Sequence, residues 1–176
     1  ADNTFVLFFS DNGRPFPRDK TTLYDSGIRT PWIVRCPGRV DGGSVCSNLV
    51  SSVDIAPTVC ELASVTPADT FQGRSFVSLL NDPTSAIRQH VFAEKHWHDY
   101  EDQCRAVRSQ SIKYIRNDYH DLPGTPPADG VRSPTYRAMQ RLRDQGVLPR
   151  EQQTCFTQPR PAEELYDLQN DPMEWT

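Results

Sequence analysis

The feature that most constrains the fold lies at the start of the chain. Thr4-Phe-Val-Leu-Phe-Phe9 is β-rich and, after its first residue, continuously apolar, and it stops abruptly at Ser10-Asp11-Asn12-Gly13. A strand whose residues do not alternate between apolar and polar is expected to be buried on both faces, as in a parallel sheet covered by helices. Residues 14–25 are polar and proline-punctuated, which predicts a loop. Pro31-Trp-Ile-Val-Arg35 then gives a second short strand closed by Pro37-Gly38, and residues 38–48 form another loop. A helix is expected to follow Asp54, with Asp54 as its N-cap and Pro57 in the first turn, where a missing N–H costs nothing. Ile55, Val59 and Leu62 share one face of that helix at i, i+4 and i+7. Strand, loop, strand and helix in this order predict an α/β layer.

The pattern changes at Asn81-Asp82-Pro83. Beyond it, His90–His96, Arg105–Arg108 and Ile112–Arg116 read as short antiparallel strands, the last two joined by a tight turn at Ser109-Gln110. Residues 117–131, rich in Pro, Gly and Asp, are expected to be an exposed loop. Ser133-Pro134 is an N-cap followed by proline at the first helical position; Tyr136, Met139 and Leu142 share the helix face, and Gly146 stops it. Glu164–Leu168 is the last strand, ended by Asn170-Asp171-Pro172. The expected organisation is therefore the end of an α/β domain over residues 1–88 and a small α+β subdomain with an antiparallel sheet over residues 89–176.

Composition excludes several functions. A net charge of −4 and a pI near 5.5 argue against nucleic-acid binding, which needs a basic surface. The longest unbroken apolar stretch, Phe5–Phe9, is far too short for a membrane-spanning helix. Five cysteines without a CxxC pair argue against zinc ribbons and redox dithiols, and leave room for one or two disulfides. GxSxG, Walker, HExxH and GxGxxG motifs are absent from the sequence.

Three places carry residues suited to chemistry. Asp11 and Asn12 follow the first strand, where ligands collect in open α/β sheets, and their oxygens suit a hard cation such as calcium or magnesium; an ordinary Asn-Gly turn is the alternative. Lys20, in the following loop beside Arg14, Arg18 and Arg29, is either a point charge for an anionic substrate or a solvated side chain. His96 and His98 lie two residues apart in the stretch Glu94–Glu101 and share a face if the strand continues. They suit a transition metal, a sugar site with Trp97 or Tyr100 stacking on the ring, or local hydrogen bonding; contact with a polar substrate is the favoured reading. Asp167 and Glu174 are expected to organise a turn rather than to act as acid or base.

In order, the segments NTFVLFFSDNG, KTTLYDSGIRTPWIVRCPG, LVSSVDIAPTVCELA, GRSFVSLL, HVFAEKHWHD, RAVRSQSIKYIRN and EELYDLQNDPMEW resemble the C-terminal portion of type I sulfatases, within the alkaline-phosphatase-like superfamily. SDNGRPFPRDK and HWHDYE are most similar to the heparan N-sulfatase (N-sulfoglucosamine sulfohydrolase) branch. The resemblance implies that Asp11 and Asn12 help complete a calcium site, that Lys20 contacts the sulfate, and that His96 and His98 lie in the substrate pocket. It also implies a formylglycine nucleophile, made from the Cys or Ser of a C/S-x-P-x-R motif. No such motif occurs here, because the proline of Cys36-Pro37-Gly38-Arg39 comes one position too early.

The expectation is thus a C-terminal fragment of a sulfuric ester hydrolase acting on a sulfated carbohydrate, inactive alone and partnered by the missing N-terminal half of the catalytic domain. A non-catalytic sulfatase-like binding module and a phosphoesterase of the same superfamily are the alternatives. Apolar sheet edges at Phe5–Phe9 and Trp32–Val34 are expected to favour self-association of the isolated chain. The resemblance further implies an extracytoplasmic location, whether periplasmic, secreted or lysosomal.

Overall fold

The computed structural model describes residues 3–176 and groups the chain into two compact units. One comprises residues up to Phe8 together with Trp32–Val91; the other comprises Phe9–Pro31 and Phe92–Thr176. The segment 9–31, which carries the first candidate residues, groups with the C-terminal unit.

In the first unit, β1 (Val6–Phe9) pairs with β2 (Trp32–Arg35) in a two-stranded sheet. The expectation that β1 is buried on both faces is not met: Phe8 is 61% exposed, and Val6 and Phe9 are also exposed. The apolar run reports what such a strand prefers to pack against, and the described residues supply only one strand neighbour. A 3₁₀ turn, Ser52–Asp54, leads into a helix over Ile55–Leu62, and a second helix spans Val77–Asn81.

The expected apolar face of the first of these helices also needs correction. Val59 is exposed, while Asp54, Pro57 and Thr58 are buried. The Asp54 carboxylate accepts the backbone N–H groups of Ser51 at 2.8 Å and Arg74 at 2.7 Å and pairs with Arg88. Thr58 donates to the Asp54 carbonyl at 2.6 Å and accepts the Phe76 N–H at 3.0 Å. This helix is seated by hydrogen bonds to the following loop, because a buried polar group must be satisfied, and these are.

The second unit is built on an antiparallel sheet in the order β3 (Val91–Trp97), β4 (Glu101–Arg108), β5 (Ile112–Asn117) and β6 (Glu163–Asp167). Ala106 faces Ile115 across β4 and β5, and Lys113 faces Tyr166 across β5 and β6. Asp102, Cys104 and Ala106 on β4 and Lys113, Ile115 and Asn117 on β5 are buried at every second position, so one face of the sheet carries the core. Leu23 from the segment after β1 packs there with Cys104, Ala106, Ile115, Tyr166 and Leu168.

The 117–131 segment is not simply an exposed loop. Pro126, Pro127 and Gly130 are buried, and Ala128–Arg132 forms a short helix, here α4. The helix after it, Pro134–Asp144, begins as the sequence predicts. Ser133 Oγ accepts the Tyr136 N–H at 3.1 Å, and Gly146 takes a φ of +72° just beyond the end. Tyr136 stacks on Phe156 at 5.2 Å between ring centres. All five cysteines are free.

Candidate functional site

All five residues singled out from the sequence lie in the second unit. The turn after β1 is tight. Ser10 Oγ donates to the Asn12 carbonyl at 2.9 Å, and Asn12 Nδ2 donates to Asp11 Oδ1 at 2.8 Å. The Gly13 N–H donates to the Gly27 carbonyl at 2.8 Å, and a Cβ on Gly13 would sit 2.0 Å from the Ser26 carbonyl oxygen. Glycine is required there because two backbone segments touch. The Asn12 amide, more than any other group, holds the Asp11 carboxyl below its usual range, with a further contribution from the Lys20 charge.

Lys20 is engaged rather than free in solvent. Its Nζ donates to Asp129 Oδ2 at 2.8 Å. That hydrogen bond raises the Lys20 pKa despite some desolvation, and the charges of Asp129, Asp99 and Asp11 act in the same direction. One ammonium thus sits in the field of three carboxylates. The flanking backbone is unusual, with Arg18 at φ +69° and Thr21 at φ +65° in the left-handed region, where a β-branched residue is costly.

A buried charge cluster anchors this loop. Lys113 is wholly buried; its Nζ lies 2.5 Å from Asp25 Oδ1 and 2.6 Å from Glu174 Oε1, and donates to the Leu23 carbonyl at 3.1 Å. Arg108 grips Asp25 with a two-pronged contact at 2.9 and 3.0 Å. The Asp25 N–H donates to Glu174 Oε2 at 2.5 Å, and Arg18 donates to the Met173 and Glu174 carbonyls. Burial raises both carboxyls. For Asp25 the Arg108 and Lys113 hydrogen bonds and charges outweigh it, so its pKa ends low, whereas that of Glu174 ends high. Glu174 is therefore far more than the turn organiser the sequence suggested. Asp167 does organise a turn, accepting the Gln169 N–H at 3.0 Å and Asn170 Nδ2 at 2.7 Å.

The two histidines find separate partners. His96 Nε2 lies 3.2 Å from Glu94 Oε2 and His98 Nδ1 lies 3.3 Å from Asp99 Oδ2, and both rings are exposed beside exposed Trp97 and Tyr100. Asp99 Oδ2 also accepts the Ala128 N–H at 2.5 Å, the contact that chiefly lowers the Asp99 pKa. Sequence reasoning missed Asp99 and Asp129 as partners. Asp99 stood inside a cluster that drew notice, while Asp129 carried no local signal, because its role comes from a fold contact 109 residues away.

Among the described residues, no group of three or more His, Cys, Asp and Glu side chains is placed to hold a metal ion. Asp11 and Asn12 carry donors of the type calcium prefers, two carboxylate oxygens and one amide oxygen, against about six to eight for a full shell. The set within the chain does not by itself fit that ion. No helix among the described residues is long and apolar enough to cross a membrane.

The profile of the family described as N-sulphoglucosamine sulphohydrolase, C-terminal, matches residues 16–122, more than half of the chain. This chain belongs to the sulfatase family. An ulvan-active sulfatase of Formosa agariphila is 37% identical over 175 residues, covering 98% of this chain and 29% of that protein. The human N-sulphoglucosamine sulphohydrolase is 27% identical over 212 residues, covering 99% of the chain and 41% of that enzyme. The sulfatase chain thus spans well under half the length of these relatives. Among solved structures, a protein in complex with its substrate D-glucosamine-2-N,6-O-disulfate superposes with a TM-score of 0.70 at 23% identity, over 99% of this chain and 30% of the other. A 2-O glycosaminoglycan sulfatase superposes with a TM-score of 0.65 at 20% identity, over 99% and 31%. These likenesses establish the α/β sulfatase-like fold with its antiparallel sheet.

Proposed function

We propose that this chain is the C-terminal part of the catalytic unit of a sulfatase that hydrolyses sulfate esters or N-sulfate groups of a sulfated sugar. The observation that carries the reading is the family match over residues 16–122, which takes in Lys20, His96 and His98. The substrate class rests on relatives named for ulvan and for N-sulphoglucosamine. In this reading Lys20 meets an oxygen of the sulfate. Attack on sulfur moves negative charge onto the equatorial and leaving oxygens, and an ammonium fixed in advance stabilises that charge more than it stabilises the ground state. His96 and His98 contact the sugar hydroxyls, with Trp97 and Tyr100 available as apolar faces for the ring.

Calcium, where bound, supplies positive charge at the sulfate. Asp11 and Asn12 contribute some of its oxygens, the rest coming, like the formylglycine nucleophile, from residues outside this chain. The isolated chain is accordingly inactive. An extracytoplasmic location of the whole protein is part of this reading and rests on the family resemblance, and in it the exposed apolar β1 and β2 residues are where the rest of the catalytic domain packs, or where isolated chains associate.

The test is sulfate release from sulfated oligosaccharides by the full-length protein. The reading requires turnover that is lost on calcium chelation and in Lys20→Ala, and none from the 176-residue chain alone. Saturable binding without release by the full-length protein would overturn it and mark a non-catalytic module.

A further inference from the structure

We propose that Asp129 is a positioning residue for Lys20: from the first turn of α4 it holds the ammonium where a sulfate oxygen is met. The inference rests on the reading of Lys20 as the sulfate contact, and extends it to a residue in a segment without sequence signal. Three observations carry it.

First, the Asp129 carboxylate is itself oriented. Its Oδ1 accepts the Gly130 N–H at 2.9 Å, which leaves Oδ2 for Lys20 Nζ at 2.8 Å. An ammonium has three N–H donors, so one spent on Asp129 fixes the direction of the other two.

Second, the platform under Asp129 is closely packed. Pro126, Pro127 and Gly130 are buried, and a Cβ on Gly130 would already stand 3.0 Å from Pro126 Cβ. The N-cap position is Pro127, which has no capping side chain, and Asp99 takes over by accepting the Ala128 N–H at 2.5 Å. Because His98 lies against Asp99, one connected set of contacts runs from the proposed sugar contact to the proposed sulfate contact.

Third, the loop carrying Lys20 holds Arg18 and Thr21 in left-handed backbone conformations, on either side of the lysine. A long flexible side chain on such a loop has a defined tip only when something grips the tip, and Asp129 is the carboxylate that does so. The pair is partly solvated, with Asp129 58% exposed, so it adds little to folding stability. Its worth is in aim, and the Asp129→Asn variant should therefore fold normally.

The experiment uses the full-length protein with a sulfated oligosaccharide and compares Asp129→Asn, Asp129→Glu, Lys20→Ala and the Lys20→Ala/Asp129→Asn double variant, with melting temperatures alongside. Asp129→Asn should lower kcat and kcat/KM together by on the order of 10- to 100-fold, with KM and melting temperature nearly unchanged, since misplacement by about 1 Å costs that much. Asp129→Glu should recover part of the rate. In the Lys20→Ala background, Asp129→Asn should have no further effect. If Lys20→Ala cripples the enzyme while Asp129→Asn stays within about twofold of wild type, or if the two losses multiply, positioning by Asp129 is wrong. If Lys20→Ala is itself without effect, the sulfate-contact reading has failed instead, and the proposal falls with it.

Discussion

Replacing Lys113 with methionine removes the side-chain cation that, among the described residues, pairs with the Glu174 carboxylate, while keeping most of the side-chain volume. Asp25 retains its two-pronged Arg108 contact, so the damage concentrates on Glu174, whose side chain is almost wholly buried and whose other oxygen accepts the Asp25 N–H. Breaking a buried pair by deleting one partner costs about 3–5 kcal/mol, because the remaining charge has no water to turn to. For a chain of this size about 2–4 °C of melting temperature accompanies each kcal/mol, which predicts a drop on the order of 6–20 °C. Urea unfolding of the 176-residue chain followed by circular dichroism measures the loss. The Lys113→Met/Glu174→Gln double variant provides the control. With the stranded charge gone, it should be more stable than Lys113→Met alone, with a coupling of about 1–3 kcal/mol. A Lys113→Met loss under about 1 kcal/mol, or strictly additive losses in the double variant, would refute the account of this cluster as a buried, mutually neutralised anchor.

Asp102 gives a pH dependence. Burial raises its pKa, but the Arg160 and Lys95 hydrogen bonds outweigh that and leave it lowered. The unfolded chain therefore takes up the proton first as pH falls through about 4, and stability should decline from about pH 5 downward. Asp102→Asn should flatten the profile of urea midpoints against pH, and an unchanged slope would contradict the assignment. In thiol labelling of the native chain at pH 8, exposed Cys46 should react fastest, and Cys104, whose thiol burial pushes up to about 12, should react only on unfolding. Ser133→Ala removes the cap on the Tyr136 N–H and should cost about 1 kcal/mol in the same urea assay, with no change in the unfolding slope.

Much of the fold was legible because its signals are local. The strands at Arg105–Arg108 and Ile112–Arg116, the Ser109-Gln110 turn between them, and the Ser133-Pro134 start and Gly146 stop of one helix all rest on signals within a few residues, although β4 starts earlier than expected, at Glu101. Two expectations failed where local spacing or composition alone guided them. The helix after Asp54 turns a polar, hydrogen-bonded face inward, because the buried Asp54 and Thr58 cap the Arg74 and Phe76 backbone from a distance in sequence. The Pro-rich 117–131 segment buries two prolines and a glycine and makes α4, since proline fixes the backbone ahead of a helix as readily as it ends one.

What the sequence determined by itself is the family, the antiparallel sheet, and the side-chain types that stand at Asp11, Asn12, Lys20, His96 and His98. Residue type and order along the chain suffice for those. Tertiary structure alone decided the partners: Asp129 for Lys20, Asp99 for α4, and Glu174 and Asp25 around Lys113. A charge reveals its sign in sequence, but the group that neutralises it is chosen by distance and by the exclusion of water, and both come into being only when remote segments are packed together.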